Sequence, residues 1–394
     1  MLVLRDKTTG EPHSFSLAAT NQEEDRLVYS LVSLTYTDLK LDFVLQHEIL
    51  NIYEGFSVKV YLFKNPFYAQ RDIVELRLSD GNLEHNGRMG YFFRLDALFE
   101  PDVLEMDKHN FTYAHYAVQY LFSHVNSLQT KDVDLTSSPK IVDFFDEDTI
   151  VLVLCDQYTE QIPHFSIDNY LSHLFLYGFT SFTKGNNIEK NNLSPILSDN
   201  YLKTETLTRR RKHLKIPKAN LHLIDEHFVR HLFKKLIQKE NETVTRFIMF
   251  YQIIEILIDK VIKVEVMNKV CSQLGSMSGQ KIKEVLGEQS SEKKRISALL
   301  TTYARPPKVL DDHLKSLLLS FYIHIDDLDF NDPDKHEELN LTDVFYGYRN
   351  KLVHNYRLMH NPAIDSTITE ESMNEINIAT EVLIAHLVTF FDSK

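Results

Sequence analysis

The segment LTDVFYGYRNKLVHNY, residues 341–356, decides how the C-terminal half of this chain folds. Its apolar side chains recur at positions i, i+3, i+4, i+7 and i+11, which is the spacing of one face of an α-helix. The members of this stripe are Leu341, Val344, Phe345, Tyr348 and Leu352. The segment therefore predicts an amphipathic helix that buries one face.

The sequence on both sides of this helix has the same helical period from about residue 220 onward. The segment 244–264 is apolar on nearly every face, which is typical of a helix at the centre of a bundle or in a subunit interface. The other predicted helices are 221–238, 278–286, 292–303, 309–323 and a last one that begins near Thr367. We therefore expect an all-α bundle over residues 220–394.

Residues 1–182 follow a different pattern, in which apolar and polar residues alternate. The alternation in 58–63 and 74–78 is typical of β-strands with one buried face, and the turn residues at 79–82 indicate a hairpin. We also expect strands at 140–145 and 149–154 and helices at 111–128 and 167–176. The predicted fold class is α+β, with a mixed, β-rich N-terminal domain followed by the helical bundle.

A polar and then basic segment, 183–219, separates the two predicted domains. Its first part is rich in Asn and contains Gly185 and Pro195, a composition typical of a linker. Six of the ten residues 209–218 are basic. This run is either a solvated linker or a clamp on an RNA backbone, and a clamp would bind less tightly as salt rises. The candidate RNA-binding residues are Arg209, Arg210, Arg211, Lys212 and Lys215.

The formal charge of −13 is unevenly distributed along the chain. Residues 201–300 carry a net charge of +9, whereas residues 1–200 carry −14 and residues 301–394 carry −8. A local positive region between two acidic ones can present a phosphate-binding surface despite an acidic isoelectric point. The charge distribution is therefore compatible with RNA as a partner.

Cysteine content and hydropathy bear on the compartment. The two cysteines cannot form a disulfide framework, which favours a reducing setting, and no basic-then-apolar leader opens the chain. The most apolar run, 247–262, is interrupted by charged residues and is too short to cross a bilayer. We expect a cytoplasmic protein without a membrane partner.

Three residues of the 341–356 segment carry groups suited to cutting RNA. Arg349 is a permanent cation whose planar fork of donors matches a phosphate, and His354 has an imidazole suited to proton transfer near neutral pH. Asn350 lies four residues before His354, on the same helical face, and is placed to orient the imidazole or the substrate. RNA can be cut by its own 2′-hydroxyl, so these groups need neither a metal nor a cofactor.

The spacing of Arg349 and His354 has a geometric consequence. Five residues advance a helix by about 500°, which leaves the two side chains roughly 140° apart. One copy therefore presents both groups to one cleft only if the arginine wraps around the helix. Two copies that face each other across a twofold axis remove this difficulty, so we expect a homodimer.

The pattern Arg349-Asn350-x-x-x-His354, on the penultimate long helix of an all-helical domain, resembles the signature of the HEPN superfamily. Many HEPN proteins are metal-independent ribonucleases, and the resemblance covers about residues 220–394. It implies a dimer with paired Arg and His at the interface, and RNA products with 2′,3′-cyclic phosphate and 5′-hydroxyl ends. It also implies a toxin or abortive-infection antiviral effector. Residues 1–182 would then act as regulator or sensor, and an antitoxin or a phage-derived trigger is a possible partner.

Alternative interpretations exist for the motif and for Glu255, a carboxylate within the apolar helix 244–264. A buried Glu255 needs a partner, which is either an Arg or Lys with a structural role or Arg349 itself, anchored in the cleft. The motif itself also fits a non-catalytic HEPN module that binds RNA, a nucleotide or a protein. A third possibility is an adaptor protein in which the motif has no function.

Overall fold

A computed structural model of the chain divides into two compact units. Among the described residues, the first unit contains 2–174, 178–181 and 213–217, and the second contains 175–177 and 223–392. The described residues are 2–23, 26–36, 39–46, 57–65, 73–80, 83–84, 89–99, 108–124, 132–137, 139–145, 148–181, 213–217, 223, 226–237, 242–269, 271–273, 275–325, 336, 338–354 and 366–392.

The described residues of the first unit form two β-sheets. Its strands are β1 (Leu2–Asp6), β2 (Pro12–Glu23), β3 (Arg26–Ser33), β4 (Lys40–Gln46), β5 (Val58–Lys64), β6 (Ile73–Asp80), β7 (Leu83–Glu84), β8 (Gly90–Arg94), β9 (Asp132–Val133), β10 (Thr149–Cys155), β11 (Thr180–Ser181) and β12 (His213–Pro217). One sheet has the order β4-β3-β2-β1-β9, and the other has the order β11-β5-β10-β8-β6-β12, with β7 paired to β6. Strand β10 is buried along its whole length because it lies between β5 and β8 and carries apolar residues on both faces.

Three helices accompany these sheets in the described part of the unit. They are α1 (Lys108–His124), α2 (Asp156–Thr159) and α3 (Leu171–Leu176). Helix α1 packs against β10 and β8. Its buried His115 hydrogen-bonds through Nδ1 to the hydroxyl of Tyr29 on β3. The helix thus covers a hydrophobic core against which the first sheet also packs.

Most of the predicted elements of the N-terminal region are confirmed, and one strand is wrong. The strands predicted at 58–63, 74–78 and 149–154 correspond to β5, β6 and β10. The strand predicted at 140–145 is instead a 3-10 turn over Ile141–Asp143. This turn forms because the Lys140 N–H donates to the Asp143 carboxylate at 2.7 Å, which closes the backbone on itself.

Part of the predicted linker is a strand. Residues His213–Pro217 form β12, which runs parallel to β6 with Leu214 opposite Leu76. Leu214 and Ile216 are buried, whereas Lys215 between them is exposed. The two apolar side chains face the core on alternate positions, and the high density of charge around them concealed this short alternation in the sequence.

The second unit is helical. Its helices are α4 (His227–His231), α5 (Thr243–Lys269), α6 (Gly279–Ser290), α7 (Glu292–Ala298), α8 (Lys308–His324), α9 (Leu341–His354) and α10 (Ser366–Phe390). The π-helical turns Leu232–Leu236 and Leu299–Tyr303 extend α4 and α7. With the β-rich unit before it, this bundle confirms the predicted α+β fold class.

Helices α5 and α10 supply most of the core of the bundle. Helix α10 is buried from Ala379 to Thr389, and it packs against α5 and α8. Helix α9 packs against α8, and the five residues of its predicted apolar stripe are each at most 3% exposed. The amphipathic helix expected from residues 341–356 is therefore present through His354, where the described part of the segment ends.

The described helices include none whose length and apolar content would allow it to cross a bilayer.

Candidate active site on the penultimate helix

The first turn of α9 is held by reciprocal hydrogen bonds. The Asp343 N–H donates to Asn340 Oδ1 at 3.0 Å, and the Asn340 N–H donates to Asp343 Oδ2 at 3.1 Å. Lys293 of α7 adds an ion pair to Asp343 at 2.7 Å. Burial alone would raise the pKa of Asp343, but these hydrogen bonds and the Lys293 ammonium lower it overall. The start of the motif helix is thus capped and tied to a neighbouring helix.

The buried face of α9 fixes the rotation of the helix. The Tyr348 ring makes edge contacts with Phe247 of α5, at 4.8 Å between centroids, and with Phe321 of α8, at 5.1 Å. The hydroxyl of Tyr322 donates to the Val344 carbonyl at 2.8 Å. Because Tyr348 is locked between two helices, the next residue, Arg349, leaves the helix in a defined direction along α5.

Arg349 lies in a cradle formed by α5 and by its own neighbour. Its guanidinium carbon is 5.3 Å from the centre of the Tyr251 ring, a cation–π contact. Nη1 donates to Asn350 Oδ1 at 3.1 Å, and Nη2 is 3.9 Å from Glu255 Oε1. The Arg349 side chain retains 19% of its exposure. The cation is therefore held in place and still reachable from solvent.

A second layer of contacts holds the Tyr251 ring. Its hydroxyl donates to Glu292 Oε1 of α7 at 2.7 Å, and its ring stacks on Phe345 of α9 at 6.2 Å. Burial raises the pKa of Tyr251, and the hydrogen bond to the Glu292 carboxylate raises it further. The phenol therefore stays neutral and acts as a fixed platform for Arg349.

The solvent exposure of Glu255 differs from what its sequence context indicated. The expectation that it is buried is wrong, because its side chain is 49% exposed. Gln252, Asp259 and Lys263 on the same side of α5 are also exposed, so this helix has a narrow polar stripe that faces solvent. The hypothesised pairing with Arg349 is nevertheless present. At 3.9 Å it is an electrostatic attraction rather than a hydrogen bond.

The other two motif residues differ in their surroundings. Asn350 is half-buried and accepts from Arg349, and among the described side chains it makes no hydrogen bond to His354. His354 is the last residue of α9 and is exposed, next to Val353 at 47% exposure. The structure therefore brings Arg349, Asn350 and Glu255 together, and it places His354 at the open end of the same helix.

The basic run is only partly described. Arg209, Arg210, Arg211 and Lys212 lie outside the described residues. Lys215 is an exposed residue of β12 in the first unit, whereas Arg349 belongs to the second unit.

Sequence reasoning missed Tyr251 and Glu292. Tyr251 lies four residues before Glu255, so the two share one face of α5. An aromatic residue followed at i+4 by a carboxylate, within an otherwise apolar helix, was the available signal for a site that holds an arginine side chain. Glu292 had no comparable signal because it reaches Tyr251 from another helix.

The described residues include no group of three or more His, Cys, Asp or Glu side chains arranged to hold a metal ion. No protein-family model, curated protein or solved structure matches this chain.

Proposed function

We propose that this chain is a metal-independent endoribonuclease of the HEPN type, acting in the cytoplasm as a toxin or abortive-infection antiviral effector. The observation that supports it best is the way in which the Arg349 side chain is held. A partly exposed guanidinium, positioned by Tyr251, Glu255 and Asn350, lies on the helix whose open end carries His354. An oriented cation and an accessible imidazole are the two groups that phosphodiester cleavage needs.

The reaction proposed is attack by the RNA on its own backbone. A His354 imidazole removes the proton of the 2′-hydroxyl, and the 2′-oxygen forms a bond to the adjacent phosphorus. The bond from phosphorus to the 5′-oxygen breaks, and an imidazolium returns a proton to that oxygen. The products are a 2′,3′-cyclic phosphate and a 5′-hydroxyl. Arg349 stabilises the negative charge that develops on the phosphate oxygens.

A homodimer completes this proposal. Arg349 and His354 point in directions about 140° apart on one helix. A cleft that receives the cation of one copy therefore does not receive the imidazole of the same copy. Two copies of α9 across a twofold axis supply two Arg349 and two His354 to one cleft. One imidazole then acts as base and the other as acid.

A second function, a non-catalytic module that binds RNA, a nucleotide or a protein partner, is favoured by one observation. The held and partly exposed cation is sufficient to bind an anionic ligand, whereas its described contacts are with Asn350 and Glu255 and do not include His354, the acid–base group that cleavage needs. In that case Arg349→Ala abolishes ligand binding, and no new RNA ends appear with the unaltered protein.

The test is cleavage of single-stranded RNA by the purified protein in the presence of EDTA. We expect new 2′,3′-cyclic phosphate and 5′-hydroxyl ends, and a loss of roughly a hundredfold or more in rate for Arg349→Ala and for His354→Ala. Val353→Ala is the control, since Val353 is exposed and adjacent to the motif. Intact RNA, or a His354→Ala protein as active and as toxic on expression as the unaltered one, would contradict the proposal.

A further inference from the structure

A polar cleft of about 400 Å³ lies in the helical unit at the other end of α9. Its lining includes Arg305 from the segment before α8, Lys308 and Asp311 from the first turn of α8, and Thr342 from the first turn of α9. At a rise of about 1.5 Å per residue, Thr342 is about 10 Å along the helix from Arg349 and about 18 Å from His354. The cleft is therefore distinct from the candidate active site.

Two cations at this cleft make no close ion pair. Arg305 and Lys308 are both exposed, and neither has a carboxylate within 4.0 Å among the residues that the structure describes. Arg305 is attracted to the Asp311 carboxylate over a longer distance. The buried His386 fixes the backbone beside them, because its Nε2–H donates to the Arg305 carbonyl at 3.0 Å. The Asp392 N–H donates to the Tyr303 carbonyl at 2.8 Å and holds the same segment. The cations thus project from an ordered backbone.

The start of α8 adds backbone donors to the same cleft. The helix is 17 residues long and begins after Pro307, which provides no side-chain cap. The first N–H groups of such a helix lack intrahelical acceptors, and the helix dipole gives this end a partial positive charge. Both properties favour an anion here.

Thr342 provides an independent indication of a ligand. It is 5% exposed and lines the cleft, and its side chain makes no hydrogen bond to the described residues. Nearly buried hydroxyls usually have a partner. An oxygen of a bound anion would supply that partner.

We propose that this cleft binds a phosphate group, with Arg305 and Lys308 as its charge partners and Thr342 as a hydroxyl donor. The group is either the phosphate monoester of a mononucleotide or a phosphodiester of an RNA strand. Asp311 is the opposing group, because its carboxylate lines the cleft beside the two cations. It weakens anion binding and keeps the cleft open to exchange. This site does not depend on the ribonuclease proposal.

The experiment is isothermal titration of the full chain with inorganic phosphate, with adenosine monophosphate and with a single-stranded RNA lacking terminal phosphates. Arg305→Ala and Lys308→Ala should each weaken binding roughly tenfold, and Thr342→Val should weaken it several-fold. Asp311→Asn should tighten it. Lys283→Ala, which removes an exposed cation on α6 outside the cleft, is the charge control.

The outcomes separate the two sources of phosphate. Loss of affinity for phosphate and the mononucleotide supports a monoester ligand, and loss for the RNA alone supports a phosphodiester ligand. Unchanged affinity in all three titrations, or a loss no larger than that of Lys283→Ala, would overturn the proposal. Thermal unfolding of each variant identifies any that fail to fold, and Asp311→Asn still tests the site by a gain in affinity.

Discussion

The guanidinium of Arg349 lies 5.3 Å from the centre of the Tyr251 ring on α5. The carboxylate of Glu255, one turn further along α5, faces the same cation. An aromatic face and a carboxylate together restrict the directions in which the arginine can point. Because the long arginine side chain is rich in rotamers, this restriction lowers the entropy that is lost when it binds a phosphate.

The Tyr251 ring should matter more than its hydroxyl. Tyr251→Leu removes the cation–π contact, which contributes about 0.5–2 kcal/mol, and should lower the rate of RNA cleavage several-fold or more. Tyr251→Phe keeps the ring and loses only the hydrogen bond to Glu292, so it should stay close to the unaltered rate. Cleavage rates of both variants under identical conditions test this. Equal loss in the two would assign the effect to the hydroxyl.

Glu255→Gln should separate activity from stability. Glu255 is about half exposed, so its loss should change the free energy of unfolding by less than about 1 kcal/mol. The orientation of Arg349 should suffer, and cleavage should fall. Asp259→Asn is the matched control, because Asp259 is exposed one turn later and pairs with Arg295 instead. The idea fails if both variants cleave RNA equally well.

The hydroxyl of Tyr348 should be dispensable. The residue is fully buried, and its hydroxyl has no hydrogen-bond partner among the described residues. Tyr348→Phe removes that unsatisfied group and keeps both ring contacts, so the melting temperature should stay equal or rise. Cleavage should be unaffected, because the ring supports the helix rather than contacting a base. A clear drop in melting temperature, measured by calorimetry, would show that the hydroxyl has a partner after all.

The buried ion pair between Arg246 of α5 and Glu381 of α10 should be sensitive to single substitutions. The two side chains are 10% and 2% exposed. Arg246→Met or Glu381→Leu removes this ion pair and leaves the other charge buried, so each should lower the free energy of unfolding by about 3–5 kcal/mol. The double variant should recover part of this loss. Glu284→Gln, which breaks the exposed pair with Lys281, should cost less than about 1 kcal/mol in the same denaturant titration.

The first unit should lose stability in mild acid through His115. Burial lowers the pKa of His115 to about 4, whereas an unfolded chain has a histidine pKa of about 6.5. The contribution of neutral His115 is therefore complete above about pH 6.5 and is lost as the pH falls towards about 4. At most it amounts to about 3 kcal/mol.

The variant that tests this is His115→Asn, compared with His313→Asn on the exposed face of α8. The fall in melting temperature between about pH 7 and about pH 5 should be smaller for His115→Asn than for the unaltered protein. His313→Asn should leave that fall unchanged. The buried His386 of the second unit titrates in the same direction in all three proteins, so it does not affect the comparison.

Elements whose apolar residues repeat over several turns could be predicted from the sequence. Elements that form by pairing with a distant segment could not. The stripe from Leu341 to Leu352 repeats over three turns, and all its members are buried. Strand β12 is only five residues long and is surrounded by charge, so its alternation has little weight against a linker composition. Its existence depends on β6, which is distant in sequence and offers an open parallel edge.

The same contrast applies to the candidate site. By itself, the sequence determined that Arg349, Asn350 and His354 share one helix and that its apolar face is buried, because periodicity is a property of neighbouring residues. Only the tertiary structure decided what surrounds Arg349, since Tyr251 and Glu255 come from α5 and meet it through the packing of Tyr348 and Phe345. The solvent exposure of Glu255 was likewise decided only by the tertiary structure. Burial of a polar side chain depends on which face of its helix the neighbouring helices cover, and that is not encoded in the helix alone.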